Sequence, residues 1–314
     1  MASRFNYQFN NLCGTVYRHG NVVYSPDGSC LYSAVGNRVA CFDLIKSRSF
    51  TFPFEARRNI VRLALSPDGA ILLAVDDEGH MLMANVPRRV VIHHLALKSP
   101  VADMRFSPDG RWVAFAVGRL VQVWGTPVLE RSFTPFALNK ILGGHGDDIT
   151  CLAWSDDSLL IASGAKDSTV RVHTLFKIPG YTPGNLSGHR STVKAVFFGK
   201  HAPDKRPEIY AVSREAAISV WHLVERPDVD SDQVAAKKAL AIAECGEGKG
   251  EAILGWWWEL AARHYFDKQH ARVTTAMMHS GTQLLVVGFN SGVFSLYELP
   301  SCNEIHTLSI SESR

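Results

Sequence analysis

Hydrophobic and polar residues alternate along this chain in short runs that recur in a fixed order. In segment 21–44, an alternating run is followed by the tetrapeptide SPDG, an apolar run, a short polar turn and a third apolar run. Segments 62–86, 103–125 and 151–175 repeat that order. Alternation with a period of two places successive side chains on opposite faces of a strand, so the pattern predicts antiparallel strands joined by tight turns.

The turn sequence sets the length of the repeat. SPDG stands at 25–28, 66–69 and 107–110, with a spacing of 41 residues, and a degenerate copy, SDDS, stands at 155–158. Proline presets φ at the second turn position, aspartate bonds locally, and glycine takes a conformation that other residues resist. Two further units, 195–223 and 274–299, keep the strand pattern without SPDG. Units of about 41 residues indicate the blades of a propeller.

Two dipeptides and a set of aromatic positions resemble WD repeats. Gly144-His145 and Gly188-His189 stand where such repeats carry Gly-His, although no third strand here ends in Trp-Asp. We therefore predict an all-β fold, a WD40-type β-propeller with eroded repeats, filling residues 1–314. The six four-stranded blades are predicted at about 10–54, 58–97, 99–138, 140–185, 187–268 and 270–310, with an insertion at about 225–255.

An N-terminal strand has no place in these six blades. FNYQF at 5–9 alternates like a strand, yet the first and sixth units already have fourth strands at 49–54 and 304–310. Propellers commonly close by pairing such a strand with the last blade, which removes an exposed edge. We expect it to belong to a missing seventh blade, and the chain alone to aggregate or to need a partner. The alternative is a complete six-bladed ring with this strand packed outside.

Composition excludes several classes of protein. The 314 residues carry a net charge of +3 and are 46% hydrophobic, which argues against a disordered chain and against a dedicated polycation. No apolar run approaches the roughly 18 residues of a membrane span, and the N-terminus shows no secretory signal. The six cysteines are scattered without a CxxC pair, as in a reducing compartment.

In WD repeats the Gly-His histidine, a strand serine or threonine, a turn aspartate and a third-strand tryptophan form a hydrogen-bonded chain. By this resemblance the fifth unit offers His189, Ser213, Glu215 and Trp221. The fourth unit offers His145 and Asp167, while Ala165 and His173 occupy the other two places. A net hydrogen bond contributes about 1 kcal/mol, so we predict a structural rather than a catalytic role for these residues.

Three adjacent tryptophans, Trp256, Trp257 and Trp258, follow the charged, glycine-rich insertion. They cannot all face inward, because successive side chains on a strand alternate between faces. One interpretation is the outer strand of the fifth blade, with one or two rings packed on its neighbour. The other is an apolar docking patch for a partner protein.

Basic pairs recur outside the main strands, in loops where propellers carry binding surfaces. They are candidates for contact with an RNA backbone, with solvated surface charge as the alternative. No aromatic RNA-recognition motif accompanies them. The candidates are Arg57, Arg58, Arg88, Arg89, Lys205 and Arg206.

Motifs of catalysis and cofactor binding are missing from the sequence. There is no HExxH, no zinc-site spacing of Cys and His, no GxSxG and no phosphate-binding GxxxxGK[ST]. Carboxylates cluster at 76–78, 147–148 and 156–157, all in predicted turns or loops, where local hydrogen bonding favours aspartate. We predict a chain that is not an enzyme, with no catalytic, cofactor-binding or metal-binding residues; an enzyme with residues gathered on the propeller axis is the competing hypothesis.

Three segments resemble one family in particular. RFNYQFNNLCGTVYRHGNVVYSPDG, VGNRVACFDL and GFNSGVFSLYELPSCNEIHTLSIS are similar to the N-terminal propeller of the periodic tryptophan protein 2 family, WD-repeat subunits of the small-subunit processome. The resemblance implies a nucleolar, non-catalytic scaffold in small ribosomal subunit biogenesis and pre-rRNA processing. The implied partners are other WD-repeat proteins, pre-ribosomal RNA and the box C/D small nucleolar ribonucleoprotein, bound directly or through neighbours, with no membrane and no small-molecule substrate.

A different WD adaptor, such as a substrate receptor of a ubiquitin ligase, is the alternative. Such receptors often carry Trp-Asp-x-Arg at the end of a third strand. The corresponding residues here read Phe42-Asp43-Leu44-Ile45 and Trp221-His222-Leu223-Val224, without the arginine.

Overall fold

The secondary structure of this chain is β throughout the described residues. The computed structural model describes residues 20–127, 136–176, 184–200, 207–225, 256–266, 272–279 and 281–309. Within them lie six four-stranded antiparallel sheets, each a meander of four consecutive strands. Four-stranded meanders of this kind are the blades of a β-propeller, which confirms the predicted fold class. The predicted strand at 5–9 and residues 226–255 of the predicted insertion lie outside the described residues.

The chain divides into two compact units, of which the first is Met1–Val101. It holds two sheets. The strands of the first sheet are β1 (Val22–Tyr24), β2 (Cys30–Val35), β3 (Arg38–Asp43) and β4 (Arg48–Thr51). Those of the second are β5 (Ile60–Leu65), β6 (Ile71–Asp76), β7 (His80–Asn85) and β8 (Val90–Ala96).

The second unit is Ala102–Arg314 and holds four sheets, the first strand of which begins one residue earlier. The third sheet is β9 (Val101–Phe106), β10 (Trp112–Val117), β11 (Leu120–Gly125) and β12 (Ala137–Leu142). The fourth is β13 (Ile149–Trp154), β14 (Leu160–Ala165), β15 (Val170–Thr174) and β16 (Gly184–Leu186). The fifth is β17 (Val193–Lys200), β18 (Pro207–Ser213), β19 (Ala217–Glu225) and β20 (Trp256–Tyr265). The sixth is β21 (Val273–His279), β22 (Leu284–Phe289), β23 (Val293–Glu298) and β24 (Asn303–Ser309).

The repeated turn has one geometry in the first four sheets. Its serine hydroxyl donates to the aspartate two residues later and accepts the main-chain N–H five residues later, as in Ser25, Asp27 and Cys30. The fourth turn residue has a positive φ, 70° at Gly28 and 61° at Ser158 of the degenerate copy. The SDDS sequence therefore closes the same turn as SPDG, with a serine in a conformation that favours glycine.

Burial differs between the middle and the outer strands of a sheet. All six residues of β14 are buried, whereas β8 alternates exposed and half-buried residues. A strand covered on both faces is apolar on both, and an outer strand keeps one face in water. The core of the fourth and fifth sheets accordingly forms from inner strands, with Leu160, Val172, Val196, Ile209 and Trp221 in one cluster.

Neighbouring sheets within each unit are also joined by polar side chains at or just before their first strands. In the first unit Asn21 accepts the N–H of Leu63 at 2.6 Å and donates to its carbonyl at 2.8 Å. In the second unit Asp103 accepts the N–H of Leu152 at 3.0 Å. Asn21 and Asp103 stand at the same position of the first and third copies, four residues before the turn serine, so these two copies share the contact between sheets as well as the turn.

Candidate functional site

His145 lies at the centre of a hydrogen-bonded network in the fourth sheet. Its Nε2 is 2.8 Å from Oγ of Ser163, and its Nδ1 is 3.2 Å from Oδ2 of Asp167. Asp167 also accepts the N–H of Gly146 at 2.8 Å. Burial lowers the pKa of His145, and the Asp167 carboxylate partly offsets this effect. The hydroxyl group that contacts His145 thus belongs to Ser163. The WD pattern expects it at the position of Ala165, two residues further along the same face of the strand.

The corresponding residues of the fifth sheet do not form this network. Ser213 donates to the carbonyl of Ala217 at 3.2 Å. Glu215 is exposed, and among the described residues neither ring nitrogen of His189 has a hydrogen-bond partner. The ring of His189 instead meets that of Trp221 edge-on, with centroids 5.3 Å apart. Burial, together with the nearby Arg263 charge, lowers the pKa of His189 to about 4.

An arginine guanidinium covers the glycine of each Gly-His dipeptide. A Cβ at Gly144 would lie 2.6 Å from Nη1 of Arg171, and a Cβ at Gly188 would lie 2.6 Å from Nη2 of Arg263. Arg171 is on β15, whereas Arg263 is on β20, opposite Ser219. Both glycines have a positive φ, 125° and 123°. The fourth and fifth sheets thus each place a cation beside the glycine of the Gly-His dipeptide, but from different strands.

The tryptophan run begins β20, the outer strand of the fifth sheet. Trp258 packs against the core cluster of the fourth and fifth sheets, and a Cβ at Gly184 would lie 2.9 Å from its Cδ1. Trp257 is 46% exposed. Trp256 belongs to the strand, but its side chain lies outside the described residues. The structure therefore separates the predicted patch into a packed ring, Trp258, and an outward ring, Trp257.

The predicted basic pairs of the second sheet lie at opposite ends of its strands. Arg57 and Arg58 precede β5, whereas Arg88 and Arg89 follow β7, which runs parallel to β5. The pairs therefore do not form one surface. The third predicted pair, 205–206, lies outside the described residues.

Two of these cations have partners within the chain. Nη2 of Arg58 lies 2.7 Å from a carboxylate oxygen of Glu78. The guanidinium of Arg89 lies 3.8 Å from the centroid of the Phe50 ring, a cation–π contact. Arg58 and Arg89 are thus partly neutralised or covered, which leaves fewer free charges on this sheet than the sequence predicts.

One buried polar cluster in the fifth sheet was not predicted. Nε2 of His222 lies 2.9 Å from Oε1 of Glu208, and the hydroxyl of Tyr210 donates to the other carboxylate oxygen. Glu208 is only 1% exposed, and burial raises the pKa of Tyr210. A buried carboxylate with two partners is satisfied within the fold, so we assign this cluster a structural role.

The first strands of the second unit also line a cleft of about 240 Å³. Its walls are mainly apolar, with Trp154, Phe197 and Met277 among them, and Arg105 and Asp156 are the charged residues of the lining. Within the part of the chain that the structure describes, no three His, Cys, Asp or Glu side chains group in a way that could hold a metal ion. The described residues likewise contain no helix long and apolar enough to cross a membrane.

Comparison with known proteins shows which proteins these repeats are similar to. The sequence profile of "WD domain, G-beta repeat" matches residues 85–124 and 136–174. Proteins named periodic tryptophan protein 2, or a homolog of it, align with 98% of the chain: 41% identical in Schizosaccharomyces pombe, 39% in Neurospora crassa and 38% in Saccharomyces cerevisiae. The chain is a WD-repeat relative of periodic tryptophan protein 2. It spans about a third of the length of these curated relatives, 34%, 33% and 32%.

The structure of this periodic tryptophan protein 2 relative also gathers cations that sequence reasoning missed. Arg190 precedes β17, Arg214 follows β18 and Arg272 precedes β21. The N–H of Arg214 donates to the carbonyl of Thr192 at 2.9 Å, and the N–H of Val273 donates to the carbonyl of Arg214 at 3.0 Å. These bonds bring three strand ends to one edge. The sequence signal, single arginines beside strand ends, is weaker than the adjacent pairs.

Proposed function

We propose that this chain is a propeller module of a non-catalytic scaffold subunit of the small-subunit processome, needed for pre-rRNA processing and small ribosomal subunit biogenesis. The observation that carries the proposal is the similarity of 98% of the chain to proteins named periodic tryptophan protein 2. The role itself follows from the resemblance to that family. The proposed site of action is the nucleolus.

The proposed mechanism is rigid display of loops and strand edges. The second strands of the second to fifth sheets are buried along almost their whole length, so these sheets hold the loops at the ends of their strands in a fixed geometry. A scaffold of this kind binds several partners at once, and linked binding events raise the overall affinity without new contacts at any one site. Other WD-repeat proteins, pre-ribosomal RNA and the box C/D small nucleolar ribonucleoprotein are the proposed partners.

Three titratable side chains that the fold places inside the sheets support a non-catalytic role. His145 is held by Ser163 and Asp167, and Glu208 is held by Tyr210 and His222. The half-buried ring of His189 lies edge-on to that of Trp221. General acid–base catalysis needs such groups within reach of a bound substrate, and these are engaged inside the sheets instead.

The test is purification of the complete protein from its native source through an affinity tag, at moderate salt, followed by sequencing of bound RNA and mass spectrometry of bound proteins. We expect precursor ribosomal RNA together with processome WD-repeat proteins. Recovery of a cullin ubiquitin ligase would support the adaptor alternative. A clean purification without precursor ribosomal RNA or processome subunits would overturn the proposal.

A further inference from the structure

We propose that the fifth and sixth sheets contact an RNA backbone directly at the end where β17, β19 and β21 begin and β18 and β20 end. The five cations at this end are defined here as the arginine edge. This inference rests on the proposed function and deepens it, because it assigns RNA contact to particular residues that the basic pairs of the sequence did not include. The arginine edge consists of Arg190, Lys194, Arg214, Arg263 and Arg272.

The strand pairing places these residues at the same edge. Val193 at the start of β17 pairs with Ser213 at the end of β18, and Ala217 at the start of β19 pairs with Tyr265 at the end of β20. The N–H of Val273, the first residue of β21, is bonded to the carbonyl of Arg214. The edge therefore runs continuously from the fifth sheet to the sixth within the second unit.

The cations of this edge are largely free of acidic partners. Among the described residues, no carboxylate forms an ion pair with Arg190, Arg214 or Arg272, all of which are exposed. Lys194 lies at a bulge of β17 and is half-buried, and Arg263 contacts the hydroxyl of Ser219 at 3.3 Å. The one described acid in these turns is Glu215, whose main-chain N–H is bonded to Ser191.

Some cations near the corresponding strand ends of other sheets are paired. Lys166 lies 2.9 Å from Asp148 in the fourth sheet, and Arg58 lies 2.7 Å from Glu78 in the second. Exposed ion pairs of this kind cancel local charge while contributing little to stability. Among the described residues of the arginine edge, Arg190, Arg214 and Arg272 have no such ion pair, so these three charges have no described acidic partner to cancel them, in a chain whose net charge is only +3.

The chemistry of the edge favours RNA over an acidic protein segment. Four of its five cations are arginines, whose planar guanidinium groups bind phosphate oxygens in a bidentate manner. Tyr265, at the same end of β20, is 62% exposed, and an exposed aromatic ring beside a phosphate-binding surface can stack on an unpaired base. An acidic peptide would use the charges but would have no base to place on the ring.

The experiment measures binding of a fluorescent 12-nucleotide uridine oligomer to the complete protein at several salt concentrations. The test variant combines Arg190→Gln, Arg214→Gln and Arg272→Gln. For single-stranded nucleic acid each phosphate contact adds about 0.7 to the slope of log K against log salt. We expect the variant to lower that slope by about 2 and to bind at least roughly tenfold more weakly near 0.1 M salt.

A matched control removes the same number of charges elsewhere, with Arg57→Gln, Arg58→Gln and Arg88→Gln. The control is expected to keep the wild-type slope, and thermal melts of both variants check that folding is preserved. Equal weakening in the two variants, or an unchanged slope in the test variant, would overturn the proposal. If poly-glutamate of matched charge competes as well as the oligomer, the edge is an acidic-peptide site and the proposal is wrong.

The aromatic part of the proposal has its own variants. Tyr265→Ala should weaken oligomer binding by roughly 5- to 100-fold, the range found when stacking on one base is lost, whereas Tyr265→Phe should bind like the wild type. An abasic oligomer should not distinguish the two variants. If Tyr265→Ala binds like the wild type, the ring takes no part in recognition. Failure of these assays alongside a processome-positive purification would leave the scaffold role standing and remove only direct contact at this edge.

Discussion

A single backbone conformation decides which residue can occupy the fourth position of each repeated turn. The turn closes with a bond from the N–H of Gly28 to the carbonyl of Ser25, and the same bond recurs at Ser158 and Ser155. A side chain in this left-handed region costs about 1–2 kcal/mol relative to the right-handed form. The turn therefore tolerates a serine at a cost in stability, which explains how the repeat can erode without losing its shape.

Two glycines of the first unit distinguish the free-energy cost of backbone strain from that of a steric clash. Gly28 has a φ of 70° and open space around its Cα, whereas a Cβ at Gly79 would lie 2.1 Å from the carbonyl oxygen of Ser99. We expect Gly28→Ala to lower the free energy of unfolding by about 1 kcal/mol, from backbone strain alone. Gly79→Ala should lower it by several times as much, because a backbone atom cannot move aside cheaply. Urea denaturation measures both, and similar losses would contradict this explanation.

Buried neutral histidines give the fold a predicted sensitivity to acid. Burial lowers the pKa of His173 to about 4, with the positive charges of Arg171 and Lys140 adding to the effect, and His189 behaves alike. An unfolded histidine titrates near 6.5. Between pH 6.5 and 4 the unfolded state therefore binds more protons, and stability falls as the pH is lowered through this window. The loss from each group is on the order of 3 kcal/mol at most.

His173→Phe removes one of these titrations while keeping an apolar ring in the core. We expect its free energy of unfolding to fall less steeply than that of the wild type between pH 6.5 and 4.5. The exposed His306 provides the control, since His306→Phe should leave the pH profile unchanged. Parallel profiles for His173→Phe and the wild type would show that protonation of His173 is not coupled to unfolding.

At the scale of the element, β20 divides its tryptophans between structure and surface. The strand pairs Leu223 with Trp258 and Val224 with Trp257, so consecutive rings take opposite faces of an outer strand. The inward ring extends the core to the fourth sheet, where it meets Gly184. The outward ring is 46% exposed, and this surface is available to a partner.

Serine substitutions at the two positions are expected to have opposite effects. Trp258→Ser should lower the free energy of unfolding by roughly 2–4 kcal/mol, because a packed ring is lost from a core cluster. Trp257→Ser should change stability by no more than about 0.5 kcal/mol while reducing the recovery of partner proteins in affinity purification. Thermal melting and quantitative mass spectrometry give the two readouts. A stable Trp257→Ser protein with full partner recovery would exclude a docking role for that ring.

At the scale of the whole molecule, the sequence predicts what is local and misses what depends on register. The SPDG turns predict the first four sheets and the strand pattern the other two, because turns and alternation depend on residues only a few positions apart. The WD pattern predicts the hydroxyl partner of His145 at position 165, which is an alanine, whereas the partner in the structure is Ser163. An error of two residues preserves the strand face, so alternation cannot detect it. The arginine beside the Gly-His glycine is Arg171 in the fourth sheet and Arg263 in the fifth. The sequence pattern does not reveal this change of strand, because it depends on the pairing of Ser219 with Arg263.

The arginine edge is the strongest case of such a long-range arrangement. Arg190 and Arg272 are far apart in sequence, and the main-chain bonds of Arg214 to Thr192 and Val273 connect their surroundings. Charge at this edge thus results from the topology of two consecutive sheets. A search for adjacent basic residues finds Arg57 and Arg88 instead, which lie at opposite ends of the strands of one sheet.

The different locations of the arginine edge and of the basic pairs predict where RNA crosslinks should map in the native assembly. Ultraviolet crosslinking of the tagged complete protein, followed by mass spectrometry of nucleotide-bearing peptides, should find adducts in peptides spanning 187–194, 207–219 and 256–266. Tyr265 is the expected acceptor in the last of these, because an exposed aromatic ring stacked on a base is well placed to react. Peptides covering 57–62 and 88–94 serve as internal controls and should be unmodified. Adducts confined to those control peptides would instead assign RNA contact to the basic pairs, whereas adducts absent from the whole chain, despite abundant bound precursor RNA, would mean that RNA is held entirely by neighbouring subunits.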